Sequence, residues 1–297
     1  MAFASLGHGS SKNKSLTKVT LEHNGIPDEA LVDIITALSM HPHLEEVDLD
    51  GNQLQTNGCK ALSTLLKCSA TELATLYLSE NEINDEGIEA LVPALKNCNH
   101  LKCLSLENNL ITSRGWQQLA SILESPSSNL KSLYTSGNNV DNDALSAFAT
   151  LLVNNCTLTN LGVHTNSITE EGSIKAFSKL LCDTTSINST FQSNHTLSNL
   201  GRLGTSGASQ SLLDLNLDRS NNKKEAAIIK ILQHHNDFDM TPFFEWEFKV
   251  LPLVINWHEK ASSITMPDNF KPNIGPGSSH VSINLFEVCL YYMWRLN

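Results

Sequence analysis

One pattern, LxxLxLxxNxI, recurs along the first part of the chain at a nearly constant spacing. The six copies start at Leu16, Leu44, Leu73, Leu101, Leu130 and Leu158. Successive starts lie 28, 29, 28, 29 and 28 residues apart. Self-similarity at such a period is the signature of a repeat architecture, in which each unit contacts only its neighbours. The length of 297 residues therefore does not require two globular domains.

Each copy of the pattern begins with a predicted strand. Apolar positions three and five residues after the start alternate with polar residues, which is typical of a short strand with one buried face. An asparagine follows eight residues after every start, and these residues are Asn24, Asn52, Asn81, Asn109, Asn138 and Asn166. Because an amide both donates to and accepts from backbone groups, we expect these six side chains to form a buried ladder.

The rest of each unit predicts a helix. In the third unit, Ile88, Leu91 and Leu95 recur at helical spacing. A small residue recurs fourteen residues after the start, namely Gly58, Gly87, Ala144 and their equivalents Gly115 and Gly172, and it lets the helix approach its neighbours closely. Strands should then stack in parallel along one side of an α/β solenoid, with helices along the other. Since helices are wider than strands, the stack should bend with the strands inside.

These units resemble those of ribonuclease inhibitor and of the repeat domains of NOD-like receptors, with the Ran GTPase-activating protein as a more distant relative. The resemblance covers Leu16 to about Asp183. It implies a leucine-rich-repeat solenoid, a right-handed β-α superhelix of horseshoe form, whose concave strand face and adjoining loops hold a protein partner. It does not imply which partner, because inhibitors, sensors, regulators and scaffolds share this architecture.

The predicted domain plan places a flexible N-terminus at 1–14 and a leucine-rich-repeat domain at 15–222. Six regular repeats occupy 16–186. The next start, Leu197, lies 39 residues after the sixth, so an irregular seventh unit is expected over 187–222. We expect a strand at 197–200, a degenerate last strand in "LLDLNLDRSNN", and loops around them.

A helical cap is predicted at 223–263. Asn222 followed by Glu225 resembles a capping box and indicates a helix from about 223 to 235. The apolar segment after it, with Trp246 and Trp257, is expected to cover the core edge of the final repeat, as solenoid ends require. The Pro- and Gly-rich residues 264–281 predict a linker. Residues 282–297 are compatible with one further helix.

Charge limits the expected partners. The net charge of -11, from 20 basic and 31 acidic residues, repels phosphate backbones, so neither nucleic acid nor anionic membrane is an expected partner. The N-terminus shows no basic region followed by an apolar one, and no window reaches the roughly 18 apolar residues of a membrane span. We therefore expect a cytoplasmic protein, with a nuclear location left open. Sequons at Asn155, Asn188 and Asn194 are interpreted as chance matches.

No catalytic motif of the GxSxG, HExxH or P-loop type is present. The chain is accordingly predicted not to be an enzyme and to need no cofactor. One group has metal-ligand residue types, formed by His234, His235, Asp237, Asp239 and His258. Its spacing matches no zinc or calcium signature. We expect surface histidines at a helix end there, and no metal.

The function expected from the sequence is protein–protein recognition by a scaffold or regulator. Two alternatives stay open, a GTPase-activating protein of the Ran type and an inhibitor of a basic enzyme. The first predicts an acidic tail after the repeats, whereas 262–297 carry few carboxylates. A GTPase-activating protein would act by positioning residues on the GTPase.

The predicted binding residues are the solvent-facing ones of the strands and following turns: Glu22, Glu46, Asp48, Asp50, Tyr77, Glu80, Glu107, Tyr134 and His164. Carboxylates outnumber Lys18 and Lys102 in the first four units, so a partner with a basic surface is expected. Tyr77 and Tyr134 should share a column two units apart, roughly 10 Å at a strand spacing of about 4.8 Å. Exposed tyrosines are common binding anchors.

Overall fold

The computed structural model describes residues 15–67, 72–125, 127–164, 166–201, 207–217 and 223–235. These residues belong to two compact units. The first unit contains the described residues of 15–181 and 193–217. The second contains Cys182–Gln192 and 223–235.

Six strands form one parallel sheet in chain order. They are β1 (Lys18–Thr20), β2 (Glu46–Asp48), β3 (Thr75–Tyr77), β4 (Cys103–Ser105), β5 (Ser132–Tyr134) and β6 (Asn160–Gly162). The central residue of every strand is apolar, and from β2 onward it is buried. In β1, which among the described residues has a neighbouring strand on one side only, Val19 is half-buried. In the part of the chain that the structure describes, β1 and β6 do not pair with each other, and the parallel strands alternate with helices, so the predicted leucine-rich-repeat solenoid is confirmed.

A helix follows each strand and returns the chain to the start of the next one. These helices are α1 (Asp28–Leu38), α2 (Thr56–Lys67), α3 (Asp85–Leu95), α4 (Ser113–Leu123), α5 (Asn142–Leu152) and α6 (Glu170–Leu181). Consecutive helices pack side by side. Within the described ranges, no helix is long and apolar enough to cross a bilayer.

The core lies between the sheet and the layer of helices. It is made mostly of the leucines and isoleucines of the repeat pattern, such as Leu76 and Leu91, both fully buried. Larger side chains fill it between α4 and α5, where the rings of Trp116 and Phe148 have centroids 4.3 Å apart. Aromatic pairs at this separation add to the stability gained from burial.

After β6 the strand pattern weakens. The strand expected at 197–200 is reduced to a single bridge between Asn199 and Asn160. The N–H of Leu161 donates to the carbonyl oxygen of Asn199 at 2.9 Å. The sheet therefore ends with one residue of a seventh unit.

The prediction of a degenerate last strand in "LLDLNLDRSNN" is wrong for the part of this segment that the structure describes. Residues Gly207–Leu217 form a helix, α8, which packs against α6. Leu212, Leu213 and Leu215 are buried in it, whereas Leu217, which strand alternation would also bury, is exposed. Short apolar runs suit a buried helix as well as a strand, and only packing decides between them.

The second unit joins two segments that are distant in the sequence. Ile187–Gln192 form a short helix, α7, where the sequence predicted a loop, and Lys223–His234 form α9. The two helices pack together. The Oγ1 of the fully buried Thr190 lies 2.8 Å from the Nε2 of His235, within hydrogen-bond distance.

The helix predicted from about 223 to 235 is thus present as α9. Its role as part of a cap stays a prediction. The remainder of that segment, 236–263, lies outside the described residues, and so do 1–14, the expected linker 264–281 and residues 282–297.

Candidate functional site

The outward side of the sheet presents three columns of residues, which we call the strand face. The first column is Lys18, Glu46, Thr75, Cys103, Ser132 and Asn160, and the second is Thr20, Asp48, Tyr77, Ser105, Tyr134 and Gly162. The third column consists of the residues two positions after the last residue of each strand, which are Glu22, Asp50, Ser79, Glu107, Ser136 and His164. Side chains alternate along a strand, so these three columns face the same way.

The predicted binding residues lie in these columns, with the exception of Glu80. Glu80 is one residue beyond the third column, in the turn, and its φ is 54°. Lys102 directly precedes β4 and lies outside the three columns. Glu22 and Glu80 are exposed, and the other predicted residues are half-buried.

Lys18 and Glu46 form an ion pair across β1 and β2, with Nζ and Oε1 2.8 Å apart. The hydrogen bond to Glu46, followed by the charge of its carboxylate, raises the pKa of the exposed Lys18. The sequence placed both residues on this side of the sheet but did not predict that they pair. The negative charge of the strand face consequently comes from the other carboxylates.

Asp50 is the most perturbed of these carboxylates. One of its oxygens accepts the N–H of Ser79, and its own N–H donates to Asp48 at 3.1 Å. Burial raises the pKa of Asp50 to about 6, although the hydrogen bond from Ser79 opposes the rise. The charges of Asp48 and Glu80 raise this pKa further, and His23 lowers it. Burial penalises the charged form, and nearby like charges do the same.

The side chain of His23 extends across the turn of the second unit toward the third unit. A Cβ at Gly51 would collide with the imidazole of His23. The Nδ1 of His23 lies 3.9 Å from Oε2 of Glu80. Gly51 has a φ of +67°, a conformation that glycine adopts without strain. The sequence analysis did not select His23. Gly51, which directly precedes the ladder residue Asn52, is the sequence signal that could have pointed to it.

Tyr77 and Tyr134 share the second column with Ser105 between them, as the predicted register requires. Tyr134 is not free of its neighbours, because a Cβ at Gly162 would lie 2.9 Å from its Cδ1. Its ring therefore lies against the bare backbone of β6. Burial raises the pKa of Tyr77, and the nearby Cys103 and Glu46 add to this effect.

The C-terminal half of the strand face carries little charge. His164 Nδ1 lies 2.8 Å from the Oγ of the buried Ser136, and Ser132 and Asn160 complete a neutral polar surface around Tyr134. The strand face is therefore divided, with carboxylates toward β1 and uncharged polar groups toward β6.

The asparagine ladder is present from the second unit onward. Each ladder oxygen accepts an N–H of the preceding unit, and each amide nitrogen donates to a carbonyl of that unit. For Asn81 these partners are the N–H of Leu54 and the carbonyl of Leu49, both at 2.9 Å. Equivalent pairs of bonds are made by Asn52, Asn109, Asn138 and Asn166.

Asn24 is an exception, and its assignment to the buried ladder is wrong. It is exposed, and its Nδ2 donates to the carbonyl of Glu22 in its own turn at 3.0 Å. The buried members depend on backbone groups of a preceding unit. Asn24 has the same sequence context but lacks such a unit among the described residues.

Two further amides that the sequence analysis missed link successive units at the entry to the strands. Asn155 is buried, donates to the carbonyl of Leu123 at 3.1 Å and accepts the N–H of Leu158 at 2.8 Å. Asn194 is buried in the same way before the seventh unit and accepts the N–H of Leu197 at 2.8 Å. These two sequon asparagines are structural, and their burial leaves no room for a glycan.

No cluster of three or more His, Cys, Asp or Glu residues is placed to hold a metal ion in the ranges that the structure describes. His235 contacts Thr190 as described above, while Asp237, Asp239 and His258 lie outside the described residues.

The repeat agrees with known protein sequences. Residues 41–63 and 71–92 match the family model described as "Leucine Rich repeat". The mouse (Mus musculus) ribonuclease inhibitor is 29% identical over 157 residues, covering 53% of this chain and 34% of the inhibitor. NACHT, LRR and PYD domains-containing protein 13 of Homo sapiens is 31% identical over 153 residues, covering 51% of this chain and 14% of that protein. The chain is built of leucine-rich repeats of the ribonuclease-inhibitor type.

This leucine-rich-repeat chain spans about a third or less of the length of these two relatives. A third relative, NACHT, LRR and PYD domains-containing protein 3 of Bos taurus, is 31% identical over 163 residues and is covered over 16% of its length. In general, repeats of this type form protein-binding scaffolds, and enzymatic activity is not characteristic of them.

Proposed function

We propose that the strand face of this leucine-rich-repeat chain binds a protein partner with a basic surface, and that the chain serves as a scaffold or regulator. The observation that carries the proposal is the charge of the N-terminal half of the face. Glu22, Asp48 and Asp50 lie in the columns of its first two units, Glu80 lies in the turn of the third unit, and Lys18 is paired with Glu46. Complementary charge steers association and favours a cationic partner surface.

The area of the strand face indicates how a partner would use it. Six strands at about 4.8 Å spacing span about 24 Å, and about 16 Å of each is exposed, which gives roughly 400 Å². This is about half of the share that one partner contributes to a standard interface. The turns that hold His23 and Glu80 are therefore expected to take part. Tyr77 and Tyr134 would supply the aromatic contacts that often dominate binding energy.

An inhibitor of a basic enzyme is a second candidate, and the same acidic surface favours it. One relative is a ribonuclease inhibitor by name. Inhibition and scaffolding differ in outcome and not in the surface used. An inhibitor abolishes the activity of the bound enzyme, whereas a scaffold leaves the activity of its partner intact.

The test compares two variants with the same change in net charge. Glu22→Lys with Glu80→Lys reverses two exposed charges of the binding surface. Asp33→Lys with Glu124→Lys reverses two exposed charges at the helices α1 and α4. Wild-type and both variants are immobilised on beads, exposed to extract of the native source, and eluted with a salt gradient.

We expect a partner that is retained by the wild-type chain and by the helix-side variant, and that elutes at much lower salt from the strand-face variant. Retention that is unchanged by the strand-face reversal, or lost on the helix-side reversal, would place the binding surface elsewhere and overturn the proposal.

A further inference from the structure

Four ionisable side chains from three successive units lie together at the N-terminal end of the strand face. We call them the acidic turn cluster: His23, Asp48, Asp50 and Glu80. Asp48 and Asp50 belong to the second unit and are linked through the N–H of Asp50. His23 from the first unit lies over Gly51 and reaches to 3.9 Å from Glu80 of the third.

Asp50 lies at the centre of the cluster. On its own unit it faces Asp48, on the preceding unit His23, and on the following unit Glu80 and the N–H of Ser79. The neighbouring cation Lys18 is engaged with Glu46 in the first column. The carboxylates of Asp48 and Glu80 thus lie near a third carboxylate, that of Asp50, which is half-buried, and this disfavours its ionised form.

We infer that the acidic turn cluster makes partner binding sensitive to pH, so that the strand face binds a basic surface at neutral pH and releases it in mildly acidic solution. This inference rests on the proposed function, since it concerns how the same face is regulated.

The direction follows from linkage between proton and partner binding. In the free chain the pKa of Asp50 is about 6, raised first by burial. A cationic partner stabilises the ionised carboxylate and lowers this pKa in the complex, so binding expels a proton near pH 6. Affinity is then full above pH 6 and falls as the pH drops through it, by at most tenfold per pH unit for one proton.

The experiment measures binding of a ten-residue oligolysine peptide by fluorescence anisotropy at pH 7.5 and pH 5.0, at constant ionic strength. Lysine stays charged throughout this range, so a change in affinity reports on the protein. Three forms of the full chain are compared: wild-type, Asp50→Asn, and the matched control Asp33→Asn, which removes an exposed carboxylate of α1. The carboxyl carbon of Asp50 is followed by NMR through the same range in the free chain.

We expect the wild-type chain and Asp33→Asn to bind the peptide roughly tenfold more weakly at pH 5.0 than at pH 7.5. Asp50→Asn should lose most of this dependence, and the Asp50 carboxyl should titrate near pH 6. Binding at pH 7.5 with no pH dependence, an equal dependence in Asp50→Asn, or a carboxyl that titrates in the ordinary range would overturn the inference alone. Absence of binding to the wild-type chain at pH 7.5 would overturn the proposed function with it.

Discussion

The carboxylate of Asp28 accepts a hydrogen bond from the N–H of Gly58, 2.9 Å away in the following repeat. The same oxygen accepts the N–H of Gln55 at 2.8 Å, so a residue of α1 caps the start of α2. A Cβ at Gly58 would lie 2.7 Å from this oxygen. Asp85 repeats the arrangement with Gly115 at 3.1 Å. At Gly58 and Gly115 the recurring glycine therefore makes room for a cap that one unit provides to the next.

Removing this cap should weaken the solenoid. Asp28 is buried, and Asp28→Ala leaves the N–H groups of Gln55 and Gly58, at the start of α2, without their acceptor. We expect a loss of about 1–3 kcal/mol in the free energy of unfolding, measured by urea denaturation. Asp33→Ala, an exposed change in the same helix, is the control and should have little effect. Equal midpoints for the two variants would show that the cap contributes nothing.

The ladder provides a test with two asparagines at the same position of the repeat motif, Asn24 and Asn81. Asn81→Leu removes bonds to Leu54 and Leu49 at a buried site, and should cost about 1–3 kcal/mol. Asn24→Leu changes an exposed amide that bonds only within its own turn. It should leave the denaturation midpoint nearly unchanged. A large effect at Asn24 would contradict its exposed placement.

Asp50 should make stability depend on pH in an unusual direction. Its folded-state pKa of about 6 lies above the value of about 3.9 for an unperturbed aspartate. Between these values the native chain holds a proton that the unfolded chain has lost, so the contribution of Asp50 to stability falls as pH rises from about 4 to about 6. Asp50→Asn should therefore raise the melting temperature at pH 7.5 by roughly 2–4 °C. The gain should vanish near pH 4, and a gain independent of pH would contradict this account.

Gly162 should affect the dissociation of a partner through its close contact with the ring of Tyr134. Once a partner is identified, Tyr134→Ala should accelerate its dissociation, by about tenfold or more if the ring is an anchor. Gly162→Ala places a methyl group 2.9 Å from the Cδ1 of Tyr134 and should displace the ring, so a smaller acceleration is expected. Surface plasmon resonance measures both rates, with Ser146→Ala, an exposed change on α5, as control. If the partner dissociates from the Tyr134→Ala chain at the wild-type rate, Tyr134 is not part of the interface.

Truncation after residue 222 tests the second unit. The shortened chain lacks α9, including the contact between His235 and Thr190. Amide hydrogen exchange in Ile187–Gln192 should accelerate strongly, because a six-residue helix has little stability without its packing partner. If 223–263 form a cap, the truncated chain should also aggregate through its exposed core edge. Unchanged exchange in α7 would show that it is held by other contacts.

Within the six regular repeats, the sequence by itself determined the period, the order of strands and helices, and the residues of each column. This was possible because a repeat of 28 or 29 residues stacks equivalent positions on one another, so that Tyr77 and Tyr134 share a column in any in-register parallel stack. Side-chain alternation within three-residue strands then assigned the outward face. None of these steps required knowledge of a contact between units.

Only the tertiary structure decided the properties that depend on a particular neighbour. Asn24 and Asn81 share a motif, yet one is exposed and the other buried, because burial requires backbone groups of a preceding unit. The pairing of Lys18 with Glu46 and the reach of His23 to Glu80 join residues 28 and 57 positions apart, and they depend on side-chain rotamers. The helix α8 replaced a predicted strand because packing against α6, and not local alternation, selected the buried leucines.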